Sequence, residues 1–295
     1  MKPMKKIVLM IAAALLVHGF TGCSNPQATG SREIVSVSIS PLEYFVDRLT
    51  GGSLEVNVML PPGVGHASYS PSPRQFEKLS GSGIYFRVGY LGYERAFIGR
   101  LKELSPGMKE VNLSEGVELI RGPEIDHGDH VHEGGIDPHI WMSPAVMLSL
   151  LPAISSSIID VYPHLKGTVE ENYPLLAGEV EAIHNDFKRL GQELPRRSFM
   201  IFHPALTYLA RDYGFEQIAM EHEGKEPSPR YLSRLVSKAR DESIPVIFIQ
   251  QEYDVRSAQL ISQETGAAVV PINPLAYDWM ASMDELKTHF ETHLR

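Results

Sequence analysis

The feature that most constrains the fold is an alternation of short apolar runs with amphipathic segments of helical length, repeated on either side of one long helical pattern. In the first half, residues 34–39, 54–60 and 84–88 predict strands, while residues 41–50 and a segment that starts at residue 73 predict helices. Strands that alternate with helices are typical of parallel sheets, because each parallel connection needs a crossover.

The same alternation resumes in the second half of the chain. The predicted strands there are residues 198–202, 246–250 and 268–272, and the predicted helices are residues 204–213, 229–242, 257–265 and 278–294. A second α/β unit of similar size is therefore expected.

Between the two units, residues 144–161 predict one helix and residues 168–194 predict a longer one, with apolar side chains at three- and four-residue steps. A helix of about 25 residues spans roughly 37 Å and can act as a rigid connector. We expect an α/β fold of two (β/α) lobes with parallel sheets, joined by one long helix, with the ligand site in the cleft between the lobes. The predicted organisation is a signal peptide (1–22), a tether (23–31), an N-terminal lobe (32–166), the connecting helix (167–195) and a C-terminal lobe (196–295).

The N-terminus predicts export and a lipid anchor. Lys2, Lys5 and Lys6 precede an apolar run at residues 7–17, which has the length of a signal peptide and is too short to span a bilayer as a helix. The run ends in small residues before Cys23, as in a bacterial lipobox, so Cys23 is the predicted lipidation site. The alternative is a plain secretory signal followed by an incidental free cysteine.

The single cysteine and the net charge restrict the function further. One cysteine at the anchor leaves none for an internal disulfide or a thiolate metal site, so a metal would need His, Asp, Glu or water as ligands. A formal net charge of −9 disfavours nucleic acid as a partner.

Three histidines stand where side chains project from a rigid scaffold. His66 follows a predicted strand, His139 lies in the run DPHIWMSP, and His203 follows the apolar run at residues 199–202. Imidazole is a common zinc ligand, and three protein ligands with a fourth group complete a tetrahedron. Each histidine also has a structural alternative: a turn cap, a buried side chain bonded to Asp137, or a strand end.

The motifs in combination resemble those of the zinc/manganese solute-binding lipoproteins of bacterial ABC transporters. The resemblance runs from residue 34 to the C-terminus and rests on these motifs: PPG…H…Y.P.P at 61–73, DPHIWMSP at 137–144, FHPALTYLARDYGF at 202–215, EPSP at 226–229 and GAAVVPINPL at 266–275. It implies that His66, His139 and His203 bind a metal ion between the lobes, and that a membrane permease receives the ion. Manganese-preferring relatives usually carry Glu at the third position, so His203 favours Zn²⁺ over Mn²⁺. A monomer is expected.

Two positions depart from the family pattern. Asn273 stands where the family often has an aspartate ligand, and Gln250 replaces a common glutamate. The fourth ligand therefore stays open between Asp278 and water, with Asn273, Glu221 or Glu223 as further candidates.

A second histidine cluster lies just before the DPHIW motif. His127, His130 and His132 alternate with carboxylates over residues 126–133, and glycines flank them. The cluster resembles a short form of the His-rich loop of zinc-uptake proteins, and its predicted role is weak capture or sensing of zinc. The alternative is a solvated polar loop.

Two other functions compete with transport as interpretations of the sequence. A zinc metallohydrolase would need an open metal position and a nearby general base, yet the sequence contains neither HExxH nor GxSxG. A surface adhesin is compatible with a lipid anchor, but the sequence has no repeats or stalk that favour it. We therefore expect a binding protein and not an enzyme.

Overall fold

The computed structural model describes residues 33–61, 63–64, 69–122, 125–126, 131–132, 135–221 and 226–295. Over these ranges the predicted α/β class is confirmed, because two four-stranded parallel sheets are each flanked by helices. The N-terminal lobe alternates strands and helices in this order: β1 (Ile34–Ile39), α1 (Ser40–Thr50), β2 (Glu55–Leu60), α2 (Pro73–Ser80), β3 (Ile84–Arg87), α3 (Gly92–Leu104) and β4 (Lys109–Asn112).

The N-terminal sheet has the strand order β2-β1-β3-β4, with every pair parallel. The chain thus leaves β1 to one side for β2 and then crosses to the other side for β3. Such a reversal opens a crevice at the carboxyl ends of β1 and β3, which is where open α/β sheets bind ligands. β1 can lie at the centre of the sheet because its residues are buried from Val35 to Ile39.

After β4 the chain forms the two-residue strands β5 (Ile125–Asp126) and β6 (Val131–His132), which pair antiparallel, and then a 3₁₀ turn at Ile140–Met142. α4 (Pro144–Val161) follows and packs on α5 (Lys166–Glu193), the long helix expected from the sequence. Among the described residues, α4 is the one helix whose length and mean hydropathy of 1.6 would suit a membrane span. Half of it is buried inside the protein, as in a core helix.

The C-terminal lobe repeats the topology of the first lobe. It contains β7 (Ser198–Ile201), α6 (Thr207–Tyr213), β8 (Glu216–Ala219), α7 (Pro229–Asp241), β9 (Val246–Gln250), α8 (Arg256–Thr265), β10 (Ala268–Ile272) and α9 (Trp279–His293). The order β10-β9-β7-β8 places a second crevice at the carboxyl ends of β7 and β9.

One prediction in this lobe was wrong by almost a turn. The helix expected from residue 204 begins at Thr207, because the backbone first turns after His203. The N–H of Ala205 donates to the carbonyl of His203 at 2.7 Å, and the N–H of Leu206 donates to Gln217 Oε1 at 2.7 Å. The turn leaves the His203 side chain at the end of the strand.

Candidate metal-binding site

His139 is held by the aspartate two residues before it. Asp137 Oδ1 accepts hydrogen bonds from both the backbone N–H and the Nδ1 of His139, each at 2.8 Å. The imidazole is almost completely buried, with 4% of its side chain exposed. The position of Asp137 therefore fixes the ring orientation and leaves Nε2 as the nitrogen that can bind a ligand.

His203 occupies the crevice of the C-terminal sheet. The buried amide of Gln250, the last residue of β9, clamps its backbone: Nε2 of Gln250 donates to the carbonyl of His203 at 2.7 Å, and Oε1 accepts from its N–H at 3.3 Å. Glu221, just after β8, brings Oε1 to within 2.9 Å of His203 Nδ1. Tyr253 stacks on the imidazole, with ring centroids 5.5 Å apart. The connections that follow β8 and β9 thus both position this ring.

The two imidazoles meet through their Nε2 atoms, which are 3.2 Å apart. Each ring has its Nδ1 against a carboxylate oxygen, from Asp137 or Glu221. A carboxylate accepts hydrogen bonds and does not donate them, so the bond to Asp137 favours the His139 tautomer with the proton on Nδ1. The negative charge of Glu221 beside Nδ1 of His203 favours the same tautomer in that ring. Two Nε2 lone pairs then face each other, an arrangement that a cation between them stabilises.

The separation suits a zinc ion. Two nitrogens bound to one tetrahedral Zn²⁺ at about 2.0–2.1 Å lie roughly 3.3–3.4 Å apart. The observed 3.2 Å between the Nε2 atoms of His139 and His203 is within 0.2 Å of that range. Within the part of the chain that the structure describes, no group of three or more His, Cys, Asp or Glu side chains could together hold a metal ion. Among the described residues, the structure therefore brings together two of the predicted ligand residues, His139 and His203.

The carboxylates of Asp137 and Glu221 place negative charge beside the imidazoles of His139 and His203. Burial acts to raise the pKa of Asp137, but the charge and hydrogen bonds of His139, together with a hydrogen bond from Thr207, outweigh it and lower that pKa. Burial and the negative charges of Glu221 and Glu252 raise the pKa of Tyr253, so its hydroxyl stays neutral. The site is thus two imidazoles backed by anionic oxygen, a donor set that fits a borderline-soft divalent cation.

The candidates for a fourth ligand lie in other roles. Asp278 is exposed and caps α9, where its Oδ1 accepts the backbone N–H of Ala281 at 2.9 Å. Asn273 Oδ1 accepts the N–H of Leu275 at 3.1 Å and so closes a local turn. Asp278 does not join His139 and His203 in a metal-holding group, and its assignment as a ligand stays a prediction that requires the helix cap to rearrange.

Several predicted residues lie outside the described residues. These are the signal peptide, the tether and Cys23 at the N-terminus, and His66, His127, His130 and Glu223 farther along the chain. His132 is described by its backbone, which pairs with Ile125 in the β5–β6 ladder.

The equivalent crevice of the N-terminal lobe is filled by a buried glutamate. Glu94 accepts the backbone N–H groups of Val88, Gly89 and Leu91 at 2.7–3.2 Å, and also a hydrogen bond from Ser38 at the end of β1. Burial raises the pKa of Glu94, and these hydrogen bonds act in the opposite direction. These hydrogen bonds fix the residues that follow β3 against the carboxyl end of β1. β1 pairs with β2, and His66 follows β2 in the sequence.

Sequence patterns identified both histidines and Asp137 but missed much of what holds them. Trp141 Nε1 donates to the carbonyl of Pro274, and Trp279 Nε1 donates to the carbonyl of Trp141, each at 2.8 Å. These bonds join residues more than 130 positions apart, so no local spacing indicates them. Both tryptophans are 1% exposed, which makes this linkage part of the core beneath the site.

The chain has the architecture of a two-lobed solute-binding protein: two parallel α/β lobes joined by one long helix. A histidine pair at the crevice of one sheet forms a candidate metal-binding site. The comparisons agree: the crystal structure of ZnuA superposes with a TM-score of 0.80 and 28% identity, covering 90% of this chain and 100% of that one. The chain belongs to the ZnuA family, zinc-uptake complex component A, periplasmic, whose family model matches residues 35–291.

Curated relatives extend the comparison. The zinc-binding lipoprotein AdcA of Streptococcus pneumoniae is 27% identical over 282 residues, which is 92% of this chain and 56% of the relative. The chain thus spans little more than half the length of AdcA. The high-affinity zinc uptake system protein ZnuA of Bacillus subtilis is 24% identical over 283 residues, 91% of this chain and 88% of the relative.

The family comparison does not favour either alternative function, metallohydrolase or adhesin. Members of this family are substrate-binding components of uptake systems.

Proposed function

We propose that this chain is the extracytoplasmic receptor of a zinc ABC transporter, which binds Zn²⁺ between its lobes and delivers it to a membrane permease. His139 and His203 supply Nε2 ligands, and His66 supplies a third from the loop after β2. A fourth position is taken by water or by Asp278. The ion is bound and released unchanged, so the protein performs no catalysis.

The observation that carries the proposal is the 3.2 Å between the Nε2 atoms of His139 and His203. With Asp137 and Glu221 against the two Nδ1 atoms, the favoured tautomer of each ring leaves a lone pair on Nε2. A divalent cation between the two nitrogens satisfies both lone pairs at once.

Zinc is the preferred ion on the chemistry of the pair, and Mn²⁺ is the less favoured alternative. Imidazole suits zinc, whereas manganese prefers carboxylate and water oxygens. The carboxylates of Asp137 and Glu221 face the Nδ1 atoms and so act on the rings and not on the ion. The names of the relatives AdcA and ZnuA also point to zinc.

The remaining parts of the proposal concern location and partners. Cys23 carries a lipid that holds the protein at the outer side of a membrane, close to the permease. The protein acts there as a monomer. The segment at residues 126–133 collects zinc weakly through His127, His130 and His132 before transfer to the main site.

Zinc titration of metal-stripped protein tests the proposal. His139→Ala and His203→Ala should each weaken binding by at least about 100-fold, because each removes a ligand. His164→Ala is the control, since His164 is 59% exposed and pairs with Glu33 on the surface. Wild-type affinity in both ligand variants, or an equal loss in the control, would contradict the assignment.

A further inference from the structure

The segment that carries His139 belongs by sequence to the first half of the chain, but its hydrogen bonds run to the C-terminal lobe. The carbonyl of Glu118 accepts from Arg211 at 2.6 Å, and Ser143 donates to Asp212 at 2.5 Å. Both partners lie on α6, the helix that follows His203. The two ends of the segment are therefore fastened to the lobe that carries the other histidine.

Tyr208 makes the central connection. Its hydroxyl accepts the backbone N–H of Ile120 at 3.2 Å and donates to the carbonyl of Asp137 at 2.8 Å. Ile120 and Asp137 are themselves joined, since the N–H of Asp137 donates to the carbonyl of Ile120 at 2.9 Å. One hydroxyl thus joins the two paired chain segments that contain Ile120 and Asp137. The turn formed by these segments carries Asp137, which orients His139.

The hydroxyl is well suited to a fixed position. Tyr208 is fully buried at 0% exposure, and the guanidinium of Arg211 lies 5.0 Å from the centre of its ring. Burial raises the pKa of Tyr208, so the hydroxyl keeps the proton that it donates to Asp137. If the hydroxyl were removed, water could not take over its two hydrogen bonds unless the core opened.

We propose that Tyr208 is a positioning residue for the zinc site: its hydroxyl fastens the turn that carries Asp137 and His139 to the lobe that carries His203. The two imidazoles then form one preassembled half of the metal site on a single rigid body. In the sequence, His139 precedes the long helix and His203 follows it. The inference rests on the zinc-binding function proposed above and names what sets the spacing of its ligands.

The test compares Tyr208→Phe with Tyr213→Phe. Tyr213 is a matched control, because it lies on the same helix, is 6% exposed, and its hydroxyl also accepts a backbone N–H, from Ala145 at 3.0 Å. Its hydroxyl also lies 3.0 Å from His184 Nδ1 and bonds to the Ser143 side chain, so the control loses at least as many hydrogen bonds as Tyr208→Phe does. Of the two tyrosines, only Tyr208 is bonded to the backbone of Ile120 and Asp137.

Zinc affinity by competition with a chelating indicator, and the melting temperature of the metal-free protein, are measured for both variants. Both should melt at lower temperatures by similar amounts. Tyr208→Phe should lose roughly tenfold in zinc affinity, with faster dissociation, as when a group that orients a ligand is removed. Tyr213→Phe should stay within about twofold of wild type.

An unchanged affinity in Tyr208→Phe, or equal losses in the two variants, would overturn the inference while leaving the zinc function intact. A wild-type protein that binds no zinc would remove the function and the inference together. Should Tyr208→Phe fail to fold, Arg211→Met removes the bond to Glu118 from the partly exposed end of the same linkage. Its affinity should fall by about threefold, and wild-type affinity there would also overturn the inference.

Discussion

Replacing Asp137 with asparagine should weaken zinc binding without removing a ligand. In the structure, Oδ1 of Asp137 accepts two hydrogen bonds from His139, both at 2.8 Å, and 12% of the Asp137 side chain is exposed. Asparagine has nearly the same shape and keeps one acceptor oxygen, but it removes the negative charge that holds the Nδ1 proton and makes the imidazole a better donor to a cation.

The magnitude follows from what is retained. Loss of a group that orients a histidine ligand costs about 10- to 100-fold in metal affinity. Because Asp137→Asn keeps an acceptor in place, we expect about tenfold, or about 1.4 kcal/mol. Asp137→Ala removes the acceptor as well and should approach about 100-fold, or about 2.7 kcal/mol.

The assay is competition for Zn²⁺ between metal-stripped protein and a chelating indicator at neutral pH. Asp160→Asn is the matched control, since Asp160 is 66% exposed and pairs with Lys109 on the surface. The control should bind as wild type does. Wild-type affinity in Asp137→Asn, or an equal loss in Asp160→Asn, would refute the role of Asp137 in orienting His139.

Two further predictions concern stability. Burial and the nearby charge of Asp47 raise the pKa of Glu43 from 4.5 to about 7, so its stabilising contribution is present below about pH 4.5 and is lost as the pH rises through 7. Glu43→Gln should therefore raise the melting temperature at pH 8 and lose this advantage at pH 4.5; a constant difference across that range would contradict the assignment. A Cβ added to Gly191 would lie 2.2 Å from the carbonyl oxygen of Tyr213, whereas one added to Gly178 of the same helix would meet nothing within 4 Å. By urea unfolding, Gly191→Ala should lose about 1–3 kcal/mol, and Gly178→Ala should gain up to about 1 kcal/mol; similar values for the two would show that the close approach carries no energetic weight.

The fold was predictable from sequence because its strands are apolar and its connections are regular. β1 and β9 are almost continuous buried runs, and both were recognised. Two of the strands that sequence patterns missed, β4 and β8, lie at sheet edges, and their sequences KEVN and EQIA are short and at least half polar. An edge strand needs little apolar surface, so hydrophobic alternation alone does not indicate it.

The site was predictable to the extent that its chemistry is local. His139 and Asp137 are two residues apart, so their hydrogen bond could be anticipated from the sequence. Glu221 is a candidate fourth ligand by sequence, but in the structure its Oε1 contacts Nδ1 of His203. The bond from Tyr208 to the turn of Asp137 spans 71 positions, and only the packing of α6 against that turn brings the two together.

The most direct test of the account is anomalous diffraction at the zinc absorption edge from crystals of the zinc-loaded protein. A single peak should lie about 2.0–2.1 Å from Nε2 of both His139 and His203, with their Nδ1 atoms still against Asp137 and Glu221. A zinc ion bound elsewhere, or one bound through Nδ1 of either ring, would contradict the account.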